Sequence, residues 1–216
     1  MKKVLLSLLS LLVISSSCNQ TTGTLNGHDW VDIGLSVKWA TCNIGANSPS
    51  DYGGYYAWAE TLTKPRYDWS NCFDCKDRNN TEKDSNWGVL RIGGNTSIAR
   101  DSGCDAAYSN WGGPWRMPTD EEFDELCKKC KWEWTSQNGH NGYLVTGPNG
   151  NSIFLPAAGY RWNSFMERGS CGSYWSNSLS SSISRCANNL RFRKDEDHYL
   201  TYQQRCVGQS IRPVTE

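Results

Sequence analysis

The sequence predicts a sheet-rich α+β domain with small sheets, few helices and long loops. Gly, Asn and Ser are abundant, and this composition favours short strands joined by loops over a helical bundle. Apolar and polar residues alternate from Val31 to Trp39, which is the period of a β-strand. One segment that begins at Thr119 carries both the capping signal and the apolar periodicity of an α-helix.

The first residues of the chain have the layout of a secretory signal. Two lysines precede an apolar run from Val4 to Ile14, and three serines then lead directly to Cys18. We therefore expect residues 1–17 to be a signal peptide. The cysteine after the small residues resembles that of a bacterial lipoprotein, in which it is lipidated and becomes the new N-terminus. The alternative is an ordinary cleaved signal with a coincidental cysteine.

Composition limits the classes of partner. Lysine plus arginine and aspartate plus glutamate both number 22, and loss of the signal leaves a slight acidic excess. This balance argues against a nucleic-acid partner. Outside the signal no apolar run reaches the roughly 20 residues that a membrane span needs. A chain of 216 residues suits one domain. We expect a polar tether over residues 18–26 and a single domain over residues 27–216.

The N-terminal half of the domain carries two strand signals and one long loop. Period-2 alternation predicts a strand over residues 31–39. Residues 55–58 are a shorter strand candidate. Residues 62–97 are polar and irregular, which predicts a long surface loop.

The clearest helix is predicted to begin after Thr119. Thr119 and Glu122 have the spacing of a capping box. Acidic residues at the start and lysines at the end suit the helix dipole. The residues at i, i+3, i+4 and i+7 share one buried face: Phe123, Leu126, Cys127 and Cys130.

A hairpin is predicted after this helix. Residues 143–146 and 152–155 are apolar and flank a loop of Gly, Pro and Asn residues, which is the chemistry of a tight turn. Further short strands are expected near residues 174–175, 190–193 and 209–214.

Several segments also carry a family resemblance, and they occur in the family's order. They include Trp111-Gly112-Gly113-Pro114-Trp115-Arg116-Met117-Pro118-Thr119 and Leu155-Pro156-Ala157-Ala158-Gly159-Tyr160-Arg161. The others are residues 31–43, 55–61, 174–176 and 210–214. Together they resemble a family of secreted bacterial domains that is known from the major paralogous domain of Fibrobacter succinogenes and is widespread in Bacteroidetes.

This resemblance implies a C-type-lectin-like fold of small twisted antiparallel sheets. Residues 116–123 also resemble the matching helix of formylglycine-generating enzymes, which share that broad fold. With the signal, the resemblance implies a protein anchored in the bacterial outer membrane through a lipid on Cys18, at the cell surface or on the periplasmic face. The calcium-and-sugar motifs of true C-type lectins are missing, so calcium-dependent sugar binding does not follow from the fold name.

The cysteines of an exported chain are expected to form disulfides. The chain has ten cysteines, and an odd number remains when Cys18 is assigned to the lipid. At least one thiol should therefore stay free or bond to another chain. The resemblance singles out Cys42 and Cys130 as familiar positions, which makes a bond between them the expected pair.

Other cysteine chemistry is less favoured by the sequence. The pairs Cys72/Cys75 and Cys127/Cys130 could hold structural zinc, but the second pair belongs to an apolar helix face and export favours disulfides. A formylglycine-type copper oxidase would need two close cysteines, and Cys186 and Cys206 lack that local motif. The three histidines share no ligand spacing, and no nucleophile or phosphate-loop motif occurs. We therefore expect no catalytic residue, metal or cofactor.

The C-terminal third is the predicted binding surface. Residues 160–206 are rich in aromatic residues, Arg and Asn, which binding surfaces use, and in lectin-like folds this third forms the ligand face. Tyr160, Phe165 and Arg168 belong to the segment, whereas Trp175 and Leu190 are expected in the core. The predicted ligand-binding residues are Arg161, Trp162, Arg185, Asn188, Arg191, Arg193, His198, Tyr199 and Tyr202.

These observations favour a non-catalytic protein that binds a glycan or protein ligand. Two alternatives stay open. One is a structural or fimbria-associated lipoprotein, and the other is the copper oxidase of the formylglycine type.

Overall fold

The computed structural model describes residues 21–72, 96–183 and 185–216. The predicted signal peptide, Cys18 and most of the predicted loop over residues 62–97 lie outside these ranges. Within them the sheet-rich α+β class is confirmed, because small antiparallel sheets surround only two α-helices. The helices are α1 (Ala106–Trp111) and α2 (Asp120–Lys129), and a 3₁₀ turn covers Trp69–Asn71.

The strands of the described ranges form three sheets and a hairpin. The first sheet has the order β1 (Thr22–Leu25), β2 (His28–Val31), β3 (Lys38–Ala40) and β12 (Val214–Thr215). The second contains β4 (Lys131–Gln137), β5 (His140–Thr146) and β6 (Ser152–Pro156). The third has the order β11 (Tyr199–Gln204), β10 (Cys186–Arg193) and β9 (Cys171–Leu179). The hairpin pairs β7 (Tyr160–Trp162) with β8 (Ser164–Met166).

The first sheet joins the two ends of the domain. Trp39 of β3 pairs with Val31 on one side and with Val214 on the other. The buried guanidinium of Arg212 strengthens this junction by donating to the carbonyl oxygens of Ala40, at 3.1 Å, and Phe154, at 3.0 Å. Three segments that are distant in sequence therefore meet at one buried cation.

The predicted strand over residues 31–39 is interrupted. Strand β2 ends at Val31 and β3 begins at Lys38. Between them the carboxylate of Asp32 accepts a hydrogen bond from the backbone N–H of Gly34 at 2.7 Å, and Gly34 has a φ of 80°. This local turn replaces the ladder. The alternation nevertheless predicts burial, because Ile33 and Val37 are buried while their polar neighbours are not.

The predicted strand over residues 55–58 is also not formed. Tyr56 makes a single bridge with Gln209, through backbone hydrogen bonds of 2.9 Å in both directions. The segment is buried throughout, so tertiary packing rather than a ladder holds it extended.

The predicted helix is confirmed as α2. Thr119 is the N-cap, and its hydroxyl accepts from the backbone N–H of Glu122 while the Glu122 carboxylate accepts from that of Thr119. Phe123 and Leu126 are buried on its inner face. Helix α1, which the sequence analysis did not predict, is capped by the carboxylate of Asp105.

The predicted hairpin is confirmed as β5 and β6, with Thr146 paired to Ser152. Strand β4 was not predicted, and it pairs with β5 along its whole length. Two large groups of buried side chains form the core. One contains Trp58, Trp115 and Trp175, and the other contains Trp39 and Leu190. No helix in the described ranges is long and apolar enough to cross a membrane.

Candidate ligand-binding site

The predicted ligand-binding residues lie in separate places rather than on one face. Arg161 and Trp162 belong to β7, which pairs with β8 and not with the third sheet. The others lie on or beside β10 and β11: Arg185, Asn188, Arg191, Arg193, His198, Tyr199 and Tyr202.

The two tyrosines of β11 point to opposite faces of the third sheet. Tyr199 is paired with Arg191, and Tyr202 is paired with Asn188. Because side chains alternate along a strand, residues three apart lie on different faces. Tyr199 is 45% exposed and Tyr202 is 49% exposed, so each is accessible but they cannot contact the same small ligand.

Arg191 and Arg193 share one carboxylate. The Nη2 of Arg191 lies 2.8 Å from Glu167 Oε2, and Arg193 forms an ion pair with the other oxygen of Glu167. Arg193 also lies 3.8 Å from Glu196. These pairs join β10 to the turn after β8, so the two arginines have a structural role in the described residues.

His198 packs against the second sheet. Its ring stacks on Trp132 of β4, with 4.2 Å between centroids and 12° between planes. Its Nε2 lies 3.2 Å from the carbonyl oxygen of Cys127 at the end of α2. Both contacts bind His198 to neighbouring elements.

Asn188 has an intramolecular partner at the start of α2. Its amide donates to Asp120 Oδ2 at 2.6 Å, and the hydroxyl of Ser176 donates to Asp120 Oδ1 at 2.5 Å. The three side chains tie β9 and β10 to the helix start. One amide N–H of Asn188 is therefore already used within the domain.

Trp162 and Arg185 are partly buried. Trp162 packs against the first core group. The carbonyl oxygen of Arg185 accepts a hydrogen bond from the backbone N–H of Arg205 at 3.0 Å. Of these predicted residues, only Arg161 lies in the group of side chains described next.

The β7–β8 hairpin presents an exposed ring beside two arginines. Phe165, in the middle of β8, is 47% exposed. The guanidinium carbon of Arg168 lies 3.8 Å from its ring centroid, and that of Arg161 lies 4.8 Å away. Arginine over a ring is an attractive arrangement. We call Arg161, Phe165 and Arg168 the cation–aromatic cluster.

Arg161 is held by backbone carbonyl groups of the loop at residues 64 and 65. Its Nη2 donates to the carbonyl oxygen of Pro65 at 2.7 Å, and its Nη1 donates to that of Lys64 at 3.3 Å. Its guanidinium carbon also lies 5.4 Å from the ring centroid of the buried Tyr67. The cation is therefore fixed before any ligand arrives.

Arg168 is held by tyrosines. Its Nε and Nη2 donate to the hydroxyl oxygen of Tyr55 at 3.3 and 3.2 Å, and this hydroxyl donates to Ala158 O at 2.6 Å. Burial raises the pKa of Tyr55, which keeps the hydroxyl protonated at neutral pH. The ring of Tyr52 lies 5.0 Å from the Arg168 guanidinium carbon, and His140 packs behind Tyr52 at 4.5 Å.

The charge of the cluster is uncompensated within the described residues. Neither Arg161 nor Arg168 has a carboxylate within ion-pair distance there. The nearby carboxylates of Glu60 and Glu167 are paired with Lys64 and with the β10 arginines, respectively. Two cations thus share one exposed ring, and an anionic group would relieve their mutual repulsion.

Close backbone packing sets the position of the hairpin. Gly159 has a φ of 65°, and a Cβ on it would lie 2.1 Å from the carbonyl oxygen of Met166. Arg161 exchanges backbone hydrogen bonds of 2.7 and 2.9 Å with Gly208. The hairpin is therefore seated on residues 159 and 208.

Phe165 and Arg168 belong to the predicted binding surface over residues 160–206 but were not among its nine predicted ligand-binding residues. The available signal was the apolar pair Phe165-Met166 inside a polar segment between β6 and β9. Apolar residues in so short and polar a stretch have no core to reach, and exposed apolar groups of this kind mark interaction sites.

A depression beside α2, with a volume of about 340 Å³, is a second candidate site. Both of its lysines are paired with lining carboxylates: Lys128 with Asp124 at 2.7 Å and Lys129 with Glu125 at 2.8 Å. These satisfied pairs make it a weaker candidate than the cation–aromatic cluster.

The predicted bond between Cys42 and Cys130 is not formed, because both thiols are free. Cys130 packs against the second core group, whereas Cys42 lies beside the hydroxyl of Thr41 at 3.6 Å. The occurrence of two cysteines at positions that are common in a family does not show that their thiols lie within bonding distance. Among the described residues, Cys127, Cys171, Cys186 and Cys206 also form no disulfide.

The second cysteine pair that was considered for zinc, Cys127 and Cys130, is held as thiols. Burial raises the pKa of Cys127 to about 12 and that of Cys130 to about 11. Cys75 lies outside the described residues, so the four-cysteine zinc hypothesis, which the sequence analysis disfavoured, is not tested. Within the described ranges no group of three or more His, Cys, Asp or Glu side chains is placed to hold a metal ion.

No protein-family model matches the chain, and neither a curated protein nor a solved structure matches it.

Proposed function

We propose that this chain is a non-catalytic binding domain that recognises a glycan or protein ligand through the cation–aromatic cluster. One observation carries the proposal: the exposed ring of Phe165 lies beside two guanidinium groups that have no carboxylate partner in the described residues. Aromatic and arginine side chains contribute most of the binding energy in many interfaces. Arg161 and Arg168 are also fixed in advance, which lowers the entropic cost of binding.

The proposal includes a C-type-lectin-like architecture and membership of the Fibrobacter-type family. Small antiparallel sheets, long connections and the pairing of the first sheet with the last strand support it. The proposed location is the bacterial outer membrane, through a lipid on Cys18, and the sequence of residues 1–18 supports that location.

Arrays of glycans and of envelope proteins test the proposal. The full-length chain in detergent would be compared with a Phe165→Ala/Arg168→Ala variant, with and without EDTA. A ligand that binds the parent chain and not the variant is the expected result. Lys131→Ala is the matched control, because it removes an exposed cation from β4 and should leave binding unchanged. A ligand that binds the parent and the double variant equally would contradict the site.

The oxidase alternative predicts a different result. It needs the thiols of Cys186 and Cys206 as copper ligands. Burial raises the pKa of Cys186 and raises that of Cys206 to about 12, which disfavours the thiolates that bind metal. Copper(I) titration with thiol quantification would detect the pair, and self-association without ligand binding would instead support the structural role.

A further inference from the structure

The outer edge of β8 has free backbone groups. Arg161 exchanges both of its backbone hydrogen bonds with Gly208, so its N–H and C=O point away from β8. Phe165 is paired opposite Arg161 and therefore occupies a non-hydrogen-bonded position of the hairpin. Its own N–H and C=O point outward, to the side on which no described strand lies. Such an edge is a template for another strand.

The same strand exposes apolar side chains. All three residues of β8 are exposed, including Phe165 at 47% and Met166 at 39%. Exposed edge strands of this kind are usually charged, shielded or short. Strand β8 is short, but its two large apolar side chains on opposite faces offer contacts to both sides of an added strand.

The positive charge of Arg161 and Arg168 limits which partner segments can bind at the edge of β8. A partner residue placed beside Phe165 on the same face would meet the guanidinium groups of Arg161 and Arg168. An acidic side chain there would gain hydrogen bonds and ion pairs with groups that lack a carboxylate in the described residues. A second copy of β8 would instead bring four guanidinium groups together, which like-charge repulsion disfavours.

The position of Arg168 argues against a stacked sugar. A sugar that stacks on Phe165 needs a free ring face, and the Arg168 guanidinium carbon already lies 3.8 Å from the centroid. An added peptide strand uses the backbone edge and leaves this contact in place. The geometry therefore favours a polypeptide over a glycan.

We infer that β8 is a docking edge for an extended segment of a partner protein, which adds to the hairpin as a further strand and places an acidic side chain against Arg161 and Arg168. This inference rests on the proposed function and specifies its ligand class. Main-chain hydrogen bonds to Phe165 would provide affinity, and alternate side chains would provide specificity.

A displayed library of short random peptides, selected on the full-length chain in detergent, tests the inference. Enriched peptides should place an acidic residue among β-branched or aromatic ones. A synthetic representative should lose about tenfold in affinity when its pairing amide is N-methylated, because one charge-neutral hydrogen bond is removed. Arg168→Ala should cause a similar loss. Phe165→Leu should retain binding, whereas Phe165→Pro, which removes the outward N–H, should not.

The possible failures are distinguishable. Enriched peptides without acidic residues, or binding that is insensitive to N-methylation, would overturn the inference. A glycan that binds through the cluster while no peptide is enriched would overturn it and leave the proposed function in place. A dimer that depends on Phe165 would assign the edge to a second copy of the chain. Absence of any ligand would overturn both proposals.

Discussion

Two pairs of arginines border the β7–β8 hairpin, and they differ in whether a carboxylate lies beside them. Arg191 and Arg193 share the carboxylate of Glu167. Arg161 and Arg168 share the ring of Phe165 and have no carboxylate within the described ranges. The first pair fastens the hairpin to the third sheet, whereas the second leaves its charge available. Composition alone treats all four arginines alike, and the position of one glutamate separates them.

The backbone explains where that glutamate points. Glu167 has a φ of 55°, a left-handed conformation that reverses the direction of the chain after β8. Its carboxylate is directed to β10, while the next residue, Arg168, folds back over Phe165. The position of the hairpin therefore determines which arginines the Glu167 carboxylate reaches.

The largest expected effect follows from moving the hairpin with Gly159→Ala. The new Cβ would lie 2.1 Å from Met166 O at a φ of 65°, so the hairpin must shift and both arginine pairs should be disturbed. We expect the free energy of unfolding in urea to fall by about 3 kcal/mol. The control is Gly139→Ala, where φ is 81° but no atom lies within 4 Å, and about 1 kcal/mol is expected. Equal losses would contradict the packing argument.

Besides the two arginine pairs, the domain contains Asp105, a buried carboxylate that forms no salt bridge with the described residues. Burial raises the pKa of Asp105 from 3.8 to about 6. Between these values the folded chain binds more protons than the unfolded chain, so stability should increase as pH falls from about 7 to about 4, by about 2 kcal/mol. Urea unfolding of the parent chain and of Asp105→Asn at the two ends of this range would measure the difference. An identical pH dependence in both proteins would refute the assignment.

A smaller effect is expected when the shared carboxylate is removed. Glu167→Gln leaves Arg191 and Arg193 partly buried without their counter-charge, with side-chain exposures of 22% and 35%. We expect thermal unfolding to report a loss of about 1–2 kcal/mol. Glu196→Gln is the matched control, because Glu196 is 54% exposed and 3.8 Å from Arg193, and it should cost less than about 0.5 kcal/mol. If Glu196→Gln lowers the free energy of unfolding as much as Glu167→Gln does, the shared Glu167 carboxylate is not what fastens the hairpin to the third sheet.

The smallest expected change in stability is that of Arg168→Ala. Arg168 is exposed and its described contacts are to rings and to the Tyr55 hydroxyl. Its removal should change the free energy of unfolding by less than about 0.5 kcal/mol, while it lowers ligand affinity by about tenfold. A loss as large as that of Glu167→Gln would place Arg168 among the structural arginines.

Local chemistry explains which elements the sequence predicted. The capping box of Thr119 and Glu122 is complete within four residues, and the turn of the β5–β6 hairpin is equally local, so both elements were predictable. The alternation from Val31 to Trp39 predicted burial but not the strand, because the Asp32 side chain closes a turn on Gly34. Pairing of β3 with β12 depends on residues far apart in sequence, which no local pattern reports.

The candidate site was predictable only as a region. The abundance of arginine and aromatic residues identified the C-terminal third, and Arg161 was among the predicted residues. Phe165 and Arg168 were not selected, because their importance depends on Gly159, Gly208 and the loop before Tyr67, which the fold brings together. The partners of Arg191, Asn188 and His198 are likewise tertiary, so no local pattern reports that these side chains contact neighbouring elements.

The pairing of β3 with β12 also has a consequence for the time at which the domain can fold. Val214 is buried and completes the ladder beside Trp39, and Arg212 closes the same junction. A chain emerging from the ribosome exposes Trp39 long before Val214 is synthesised. The first sheet is therefore completed only after residues 212–215 have been synthesised, about 175 residues after Trp39.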